Sequence, residues 1–74
     1  MVRVRIYGVA RLNAGVAGFD SDAADIHELL GKIPGIPRKE AKDLVVLVNG
    51  KTVPKHYKFR EGDEVALLAP AGGG

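Results

Sequence analysis

The chain contains no cysteine and only two histidines. Without cysteine it can form neither a disulfide nor a cysteine-based zinc site. His27 and His56 lie far apart in the sequence, and no cluster of other ligand residues surrounds either of them. We therefore predict no metal site and no bound cofactor, and we expect apolar packing alone to stabilise the fold.

Aromatic residues, excess charge and long apolar runs are also scarce. Tyr and Phe occur twice each, Trp is absent, and the net charge is only +2. This composition argues against a nucleic-acid-binding surface. No apolar run approaches the roughly 20 residues that a membrane-spanning helix needs, and the alternating residues 1–5 do not resemble a signal peptide. We expect a cytoplasmic protein that binds neither nucleic acid nor membrane.

A chain of 74 residues forms one domain at most. Its sequence is rich in patterns that predict β-strands. Residues 2–7 alternate between apolar and polar, and a loop at 9–15 is expected to lead to a short returning strand at 16–19. The Asn49-Gly50 pair predicts a tight hairpin turn between two further strands. The later strands are predicted at 44–48, 51–53 and 64–69.

One amphipathic helix is predicted between the second and third strands. The run Asp20-Ser21-Asp22 offers capping side chains, and Pro34 ends the helical pattern. The apolar residues that follow the cap are spaced as one helical stripe, formed by Ile26, Leu29, Leu30 and Ile33. Residues 38–43 are expected to form a charged connector.

These elements predict an α+β fold of the β-grasp (ubiquitin-like) type. It is a two-layer roll with a mixed sheet of about four to five strands and one main helix on one face. The first and last strands should lie side by side at the centre of the sheet. We expect residues 1–69 to form this single domain and residues 70–74 to form a flexible, glycine-rich C-terminal tail.

One helix leaves the other face of the sheet open, yet two strands are apolar on both sides. If Val46 and Val48 face the helix, then Val45 and Leu47 face outward. If Val65 and Leu67 of the last strand face the helix, then Ala66 and Leu68 face outward. An exposed apolar patch of this kind marks a partner-binding surface. Coverage by the charged connector or by a second copy remains the alternative. The predicted partner-binding residues are Val45, Leu47, Ala66 and Leu68.

The chain ends in a segment almost free of side chains, which comprises Pro70, Ala71, Gly72, Gly73 and Gly74. Such an arm can enter a channel too narrow for a Cβ atom, and the predicted reactive group is the C-terminal carboxylate of Gly74. Pro70 stiffens the start of the arm. A glycine-rich linker without function is the competing interpretation.

Three segments carry a family likeness: Leu47-Val48-Asn49-Gly50-Lys51, the run from Arg60 to Leu68, and Pro70-Ala71-Gly72-Gly73-Gly74. Together they resemble the ubiquitin-like sulfur carriers MoaD and ThiS. The resemblance covers nearly the whole chain, but it is weak across residues 9–19. Tyr7-Gly8, Arg11 and Pro70 look like the molybdopterin branch, whereas the triple glycine looks like the thiamine branch.

The resemblance implies a carrier without catalytic residues of its own. An adenylating enzyme of the ubiquitin-activating type would use ATP to activate Gly74, and a thiocarboxylate would follow. The large subunit of molybdopterin synthase, or an equivalent acceptor enzyme, would then receive the sulfur for molybdenum or tungsten cofactor synthesis. A thiamine-pathway carrier, a protein modifier joined through Gly74 and a passive interaction domain remain open alternatives.

Overall fold

The computed structural model describes residues 1–70, and the predicted tail residues 71–74 lie outside the described part. Five strands and three helices follow one another along residues 1–70. In chain order they are β1 (Val2–Ile6), α1 (Gly8–Ala14), β2 (Gly18–Ser21), α2 (Ile26–Leu30), α3 (Arg38–Ala41), β3 (Val45–Val48), β4 (Lys51–Thr52) and β5 (Glu64–Leu68).

The strands form one mixed sheet in the order β2-β1-β5-β3-β4. β1 and β5 run parallel with Arg5 opposite Ala66, and the other neighbours are antiparallel. The first and last strands therefore lie side by side within the sheet, as the sequence predicts. The β-grasp fold class is confirmed.

The core lies on the helix side of the sheet. Along β1 the buried and exposed residues alternate strictly, with Val4 and Ile6 inward, and along β5 Leu67 is fully buried. Leu29 of α2 packs into the same cluster. Burying one such side chain stabilises the fold by roughly 1.5–3 kcal/mol, which is a substantial contribution in a domain of this size.

The segment predicted as a loop at 9–15 is instead a helix, α1. Its two buried residues are Ala10 and Ala14, which are four positions apart and therefore share one face. Gly15 ends the helix in a left-handed conformation (φ 77°), and its N–H donates to the Arg11 carbonyl. The sequence predicts a loop residue at Gly15, whereas the structure shows a helix C-cap.

The main helix is shorter than predicted and begins later. The Ser21 hydroxyl accepts from the backbone N–H of Ala23, so it serves a local turn. The cap is Asp25, whose carboxylate accepts from the backbone N–H of Glu28 at 2.9 Å. The charged connector also contains a helical turn, α3, and Arg38 in it donates to the His27 carbonyl at 2.8 Å. α1 is the longest helix of residues 1–70, and its 7 residues are too few to cross a membrane.

The predicted hairpin turn is present at Asn49-Gly50, with φ values of 52° and 82°. A buried carboxylate, Asp63, connects this turn to the loop before β5. It accepts from Asn49 Nδ2 (3.0 Å), from the Tyr57 hydroxyl (2.8 Å) and from the backbone N–H of Arg60 (2.9 Å). One ionised side chain thus holds three separate parts of the chain together.

We expect Asp63→Asn to destabilise the domain by about 1–3 kcal/mol at pH 7. Both carboxylate oxygens of Asp63 accept hydrogen bonds, and asparagine replaces one of them with an NH₂ group that cannot accept. The Arg60 N–H bond, supported by the other two donors, lowers the pKa of Asp63 against the opposing effect of burial. The carboxylate therefore contributes stability above its unfolded pKa of about 3.9, and this contribution is lost as pH falls through the lower folded pKa.

Urea unfolding of the wild type and of Asp63→Asn, at neutral and at acid pH, measures how much the ionised Asp63 stabilises the fold. The stability difference between wild type and Asp63→Asn should shrink on acidification, and Asp43→Asn, at an exposed carboxylate, serves as the matched control. An unchanged difference at pH about 2 would show that ionisation of Asp63 does not stabilise the fold.

Candidate functional site

The sheet register brings the four predicted partner-binding residues together on one face. Val45 lies opposite Leu68, and Leu47 lies opposite Ala66, in neighbouring antiparallel strands. Their chain neighbours face the core, since Val48 and Leu67 are buried. Val45 is 40% exposed and the other three are half-buried. We call Val45, Leu47, Ala66 and Leu68 the apolar strip.

Polar residues of β1 border the apolar strip. Arg5 lies opposite Ala66 in the parallel register, and Arg3 lies opposite Glu64. Arg3 Nε donates to the Asp20 carboxylate at 2.7 Å, so its charge is already paired at the surface. An apolar centre with a polar rim is the usual composition of a protein-binding surface.

The apolar strip ends where the chain leaves the sheet. β5 ends at Leu68, and Ala69 and Pro70 are exposed. The backbone N–H of Tyr7 donates to the Leu67 carbonyl at 3.0 Å, which fixes the last residues of β5 against the end of β1. The predicted tail therefore continues from residues of β5 that are bonded to the end of β1. The predicted tail residues 71–74 lie beyond the described chain.

Further exposed apolar side chains lie at the same end of the sheet. Tyr7 is 46% exposed, and on α1 Val9 and Leu12 are 61% and 80% exposed. They lie near the end of β5 because β1 and β5 are parallel and α1 follows β1 directly. The sequence pattern does not mark them as site residues. The outward position of Tyr7 in the β1 alternation is the available signal, whereas the sequence predicts a loop where the structure has α1.

The part of the chain that the structure describes holds no cluster of acids, histidines or cysteines suited to a metal. No group of three or more such side chains occurs within residues 1–70. Every buried side-chain nitrogen or oxygen in that part of the chain has a hydrogen-bond partner. What the site offers is therefore a shaped apolar surface beside the start of the C-terminal segment.

Comparison with known proteins identifies the family of this chain. The model of the ThiS family matches residues 4–74, which includes the strip and the glycine-rich end. The chain belongs to the ThiS family. As a ThiS family member it is a small carrier-type protein with a ubiquitin-like fold. No protein with a curated description matches the sequence.

Solved structures of low sequence identity share the fold of this ThiS family chain. A candidate molybdopterin converting factor, subunit 1, from Pyrococcus furiosus has a TM-score of 0.71 at 22% identity and covers 93% of this chain and 95% of its own. Two structures of small archaeal modifier protein 1 from Haloferax volcanii, each 22% identical, have TM-scores of 0.75 and 0.74. The first covers 93% of this chain and 95% of its own, and the second covers 99% and 98%.

Proposed function

We propose that this ThiS family protein is a sulfur carrier for molybdenum or tungsten cofactor synthesis, activated at the carboxylate of Gly74. The observation that carries the proposal is the apolar strip, which runs along β5 to the start of the glycine-rich segment. A carrier needs a surface for its activating enzyme and a slender arm that reaches the enzyme's reaction centre. The strip and the sequence after Leu68 supply these two parts.

The proposed reaction takes place on the backbone carboxylate. A carboxylate oxygen of Gly74 attacks the α-phosphorus of ATP, and pyrophosphate leaves. The terminal sulfur of an enzyme persulfide then attacks the acyl-adenylate carbonyl, and AMP leaves. A thiol cleaves the resulting sulfur–sulfur bond, which yields the thiocarboxylate and a disulfide. ATP and the persulfide belong to the partner enzymes.

The chain's own residues position this reaction. An extended segment from Ala69 to Gly74 spans at most about 20 Å, at roughly 3.3 Å per residue. Ordering glycines in a channel costs about 1–2 kcal/mol for each residue. Burial of one leucine of the apolar strip offsets about 1.5–3 kcal/mol of that cost. The strip therefore supplies affinity, and the arm supplies the geometry of attack.

The pterin pathway is supported by the sequence around β1 and by Pro70. Tyr7-Gly8, Arg11 and Pro70 resemble the molybdopterin branch, and the fold likeness includes a candidate molybdopterin converting factor subunit. On this proposal the partners are an adenylating enzyme and the large subunit of a molybdopterin synthase. The thiamine pathway is the alternative acceptor route, and the triple glycine favours it.

Protein modification is a second candidate function. The fold likeness to small archaeal modifier protein 1 favours it, since the same acyl-adenylate can transfer to a lysine amine with loss of AMP. In that case Gly74 would be found in isopeptide bonds to other proteins.

Intact mass spectrometry of the protein purified from its own host under reducing conditions tests these alternatives. We expect a fraction in which one oxygen is replaced by sulfur, with the change located in the C-terminal peptide. Isopeptide-linked products at Gly74 would assign the modifier function instead. A single unmodified mass after incubation with host extract, ATP and a sulfur donor would contradict both proposals.

A further inference from the structure

A second candidate docking surface lies on the helix side of the sheet and meets the apolar strip only at Val45, which lines both. It is a groove of about 440 Å³ between α2 and the β3–β4 hairpin. Its floor is formed by Ile26 and Leu30 of α2 and by Val46 and Val53 on the sheet side. Its volume falls in the range of about 300–1,000 Å³ that is typical of ligand sites.

The groove combines this apolar floor with a basic rim. Arg38, Lys42 and Lys55 line it together with His27, and no Asp or Glu is among its lining residues. Within residues 1–70 none of the three cations forms an ion pair with a carboxylate. By contrast, Lys32 on the same side of the fold contacts the carboxylates of both Asp22 and Glu28.

The shape and charge of the groove define its occupant. We infer that it binds a segment of a partner protein in which apolar side chains are flanked by carboxylates. The apolar side chains would replace water on the floor, and the carboxylates would meet the three rim cations. Without such flanks, binding would leave the three cations with no opposite charge.

The groove and the apolar strip share Val45, but the other three residues of the strip lie outside the groove. Val46 faces the groove, while its neighbour Leu47 faces outward in the apolar strip. A segment held in the groove would leave Leu47 and Leu68 accessible, since neither lines it. This inference does not depend on sulfur transfer, and it also holds for a protein modifier.

The test uses a fluorescein-labelled peptide, Glu-Glu-Leu-Val-Ile-Leu-Glu-Glu, and its twin with lysine in place of every glutamate. We expect saturable binding of the acidic peptide to the full chain, measured by fluorescence anisotropy, and binding of the basic twin at least about tenfold weaker. Amide chemical shift changes should occur at Leu30, Val46 and Val53. The amides of Ala66 and Leu68 should stay unchanged.

Two double variants separate the groove from general attraction between opposite charges. Lys42→Glu with Lys55→Glu should weaken acidic-peptide binding by about tenfold or more. The matched control, Lys39→Glu with Lys51→Glu, changes the net charge equally at exposed lysines outside the groove and should weaken binding less than about threefold. Circular dichroism is used to check that both double variants are folded.

Any of three results with the peptide would overturn the inference. They are no saturable binding of the acidic peptide up to about 1 mM, equal losses in the two double variants, and shift changes confined to the apolar strip. Concentration-dependent shifts of the groove amides without peptide would assign the groove to a second copy of this chain and would also overturn it.

Discussion

Replacing Gly73 with leucine should abolish activation by the adenylating enzyme and leave the domain as stable as before. A leucine side chain at this position adds bulk where the proposed channel admits only backbone, so the Gly74 carboxylate cannot reach the α-phosphorus of ATP. Misplacing a reacting atom by about 1 Å can cost about 100-fold in rate. Removal of Gly74 should have an equal effect, because it withdraws the carboxylate by roughly 3.3 Å.

ATP–pyrophosphate exchange by the adenylating enzyme measures this activation directly. We expect a loss of at least about 100-fold for both variants, while urea unfolding changes by less than about 0.5 kcal/mol. Ala71→Ser, which adds only a hydroxyl earlier in the segment, is the control and should retain most activity. Full exchange activity in Gly73→Leu would contradict the proposed role of the glycines and would favour a passive interaction domain.

Most of the strand arrangement could be predicted because the strands other than β2 carry their own signals. The sequence predicts β2 at 16–19, whereas it lies at Gly18–Ser21. The alternation in β1, the apolar run in β3 and the Asn49-Gly50 turn each fix a local geometry. β3 and β5 are apolar on both faces, so the sequence pattern alone does not say which face of each strand lies in the core. The helices cover only one side of the sheet, and the face on that side is the buried one. The positions of Leu47 and Leu68 on the open face follow from that alternation, and the register confirms them. Their role in partner binding stays a prediction.

The helices were harder to predict because their boundaries depend on tertiary contacts. α1 has no stripe of large apolar residues, and it is held by Ala10 and Ala14 against the core. A Cβ on Gly35 would lie 2.6 Å from the Asn13 carbonyl, so this glycine allows the 34–36 loop to approach the end of α1 closely. Such an approach between distant segments leaves no periodic signal in the sequence. The apolar surface of α1 was missed for this reason.

The basic-rimmed groove could not be predicted either, because three separate segments form it. Arg38 and Lys42 come from α3 and the residues after it, and Lys55 follows β4. In the sequence Arg38 and Lys42 belong to a run of mixed charge, which is typical of a solvated connector. Folding places these cations around one apolar floor and leaves the carboxylates of Glu40 and Asp43 outside the lining.

Replacing Leu68 with aspartate should weaken binding of the adenylating enzyme by about 100-fold and change the stability of the free domain by less than about 1 kcal/mol. Loss of one buried leucine costs about 1.5–3 kcal/mol of binding free energy, and an aspartate buried at the interface without a partner adds to this cost. The free domain tolerates the change because Leu68 lies on the open face and is only half-buried. Leu47→Asp should behave similarly, since Leu47 belongs to the same strip.

Isothermal titration calorimetry with the enzyme and urea unfolding of each variant separate the two effects. Ala24→Asp introduces the same charge at an exposed site outside the strip, and it should alter binding by less than about threefold. Leu67→Asp is the control for the core-facing side of β5. Leu67 is fully buried, so an aspartate there should prevent folding. If Leu68→Asp unfolds the domain but Leu67→Asp does not, the facing of β5 is reversed. If Leu68→Asp and Ala24→Asp bind equally well, the strip is not the surface that the activating enzyme recognises.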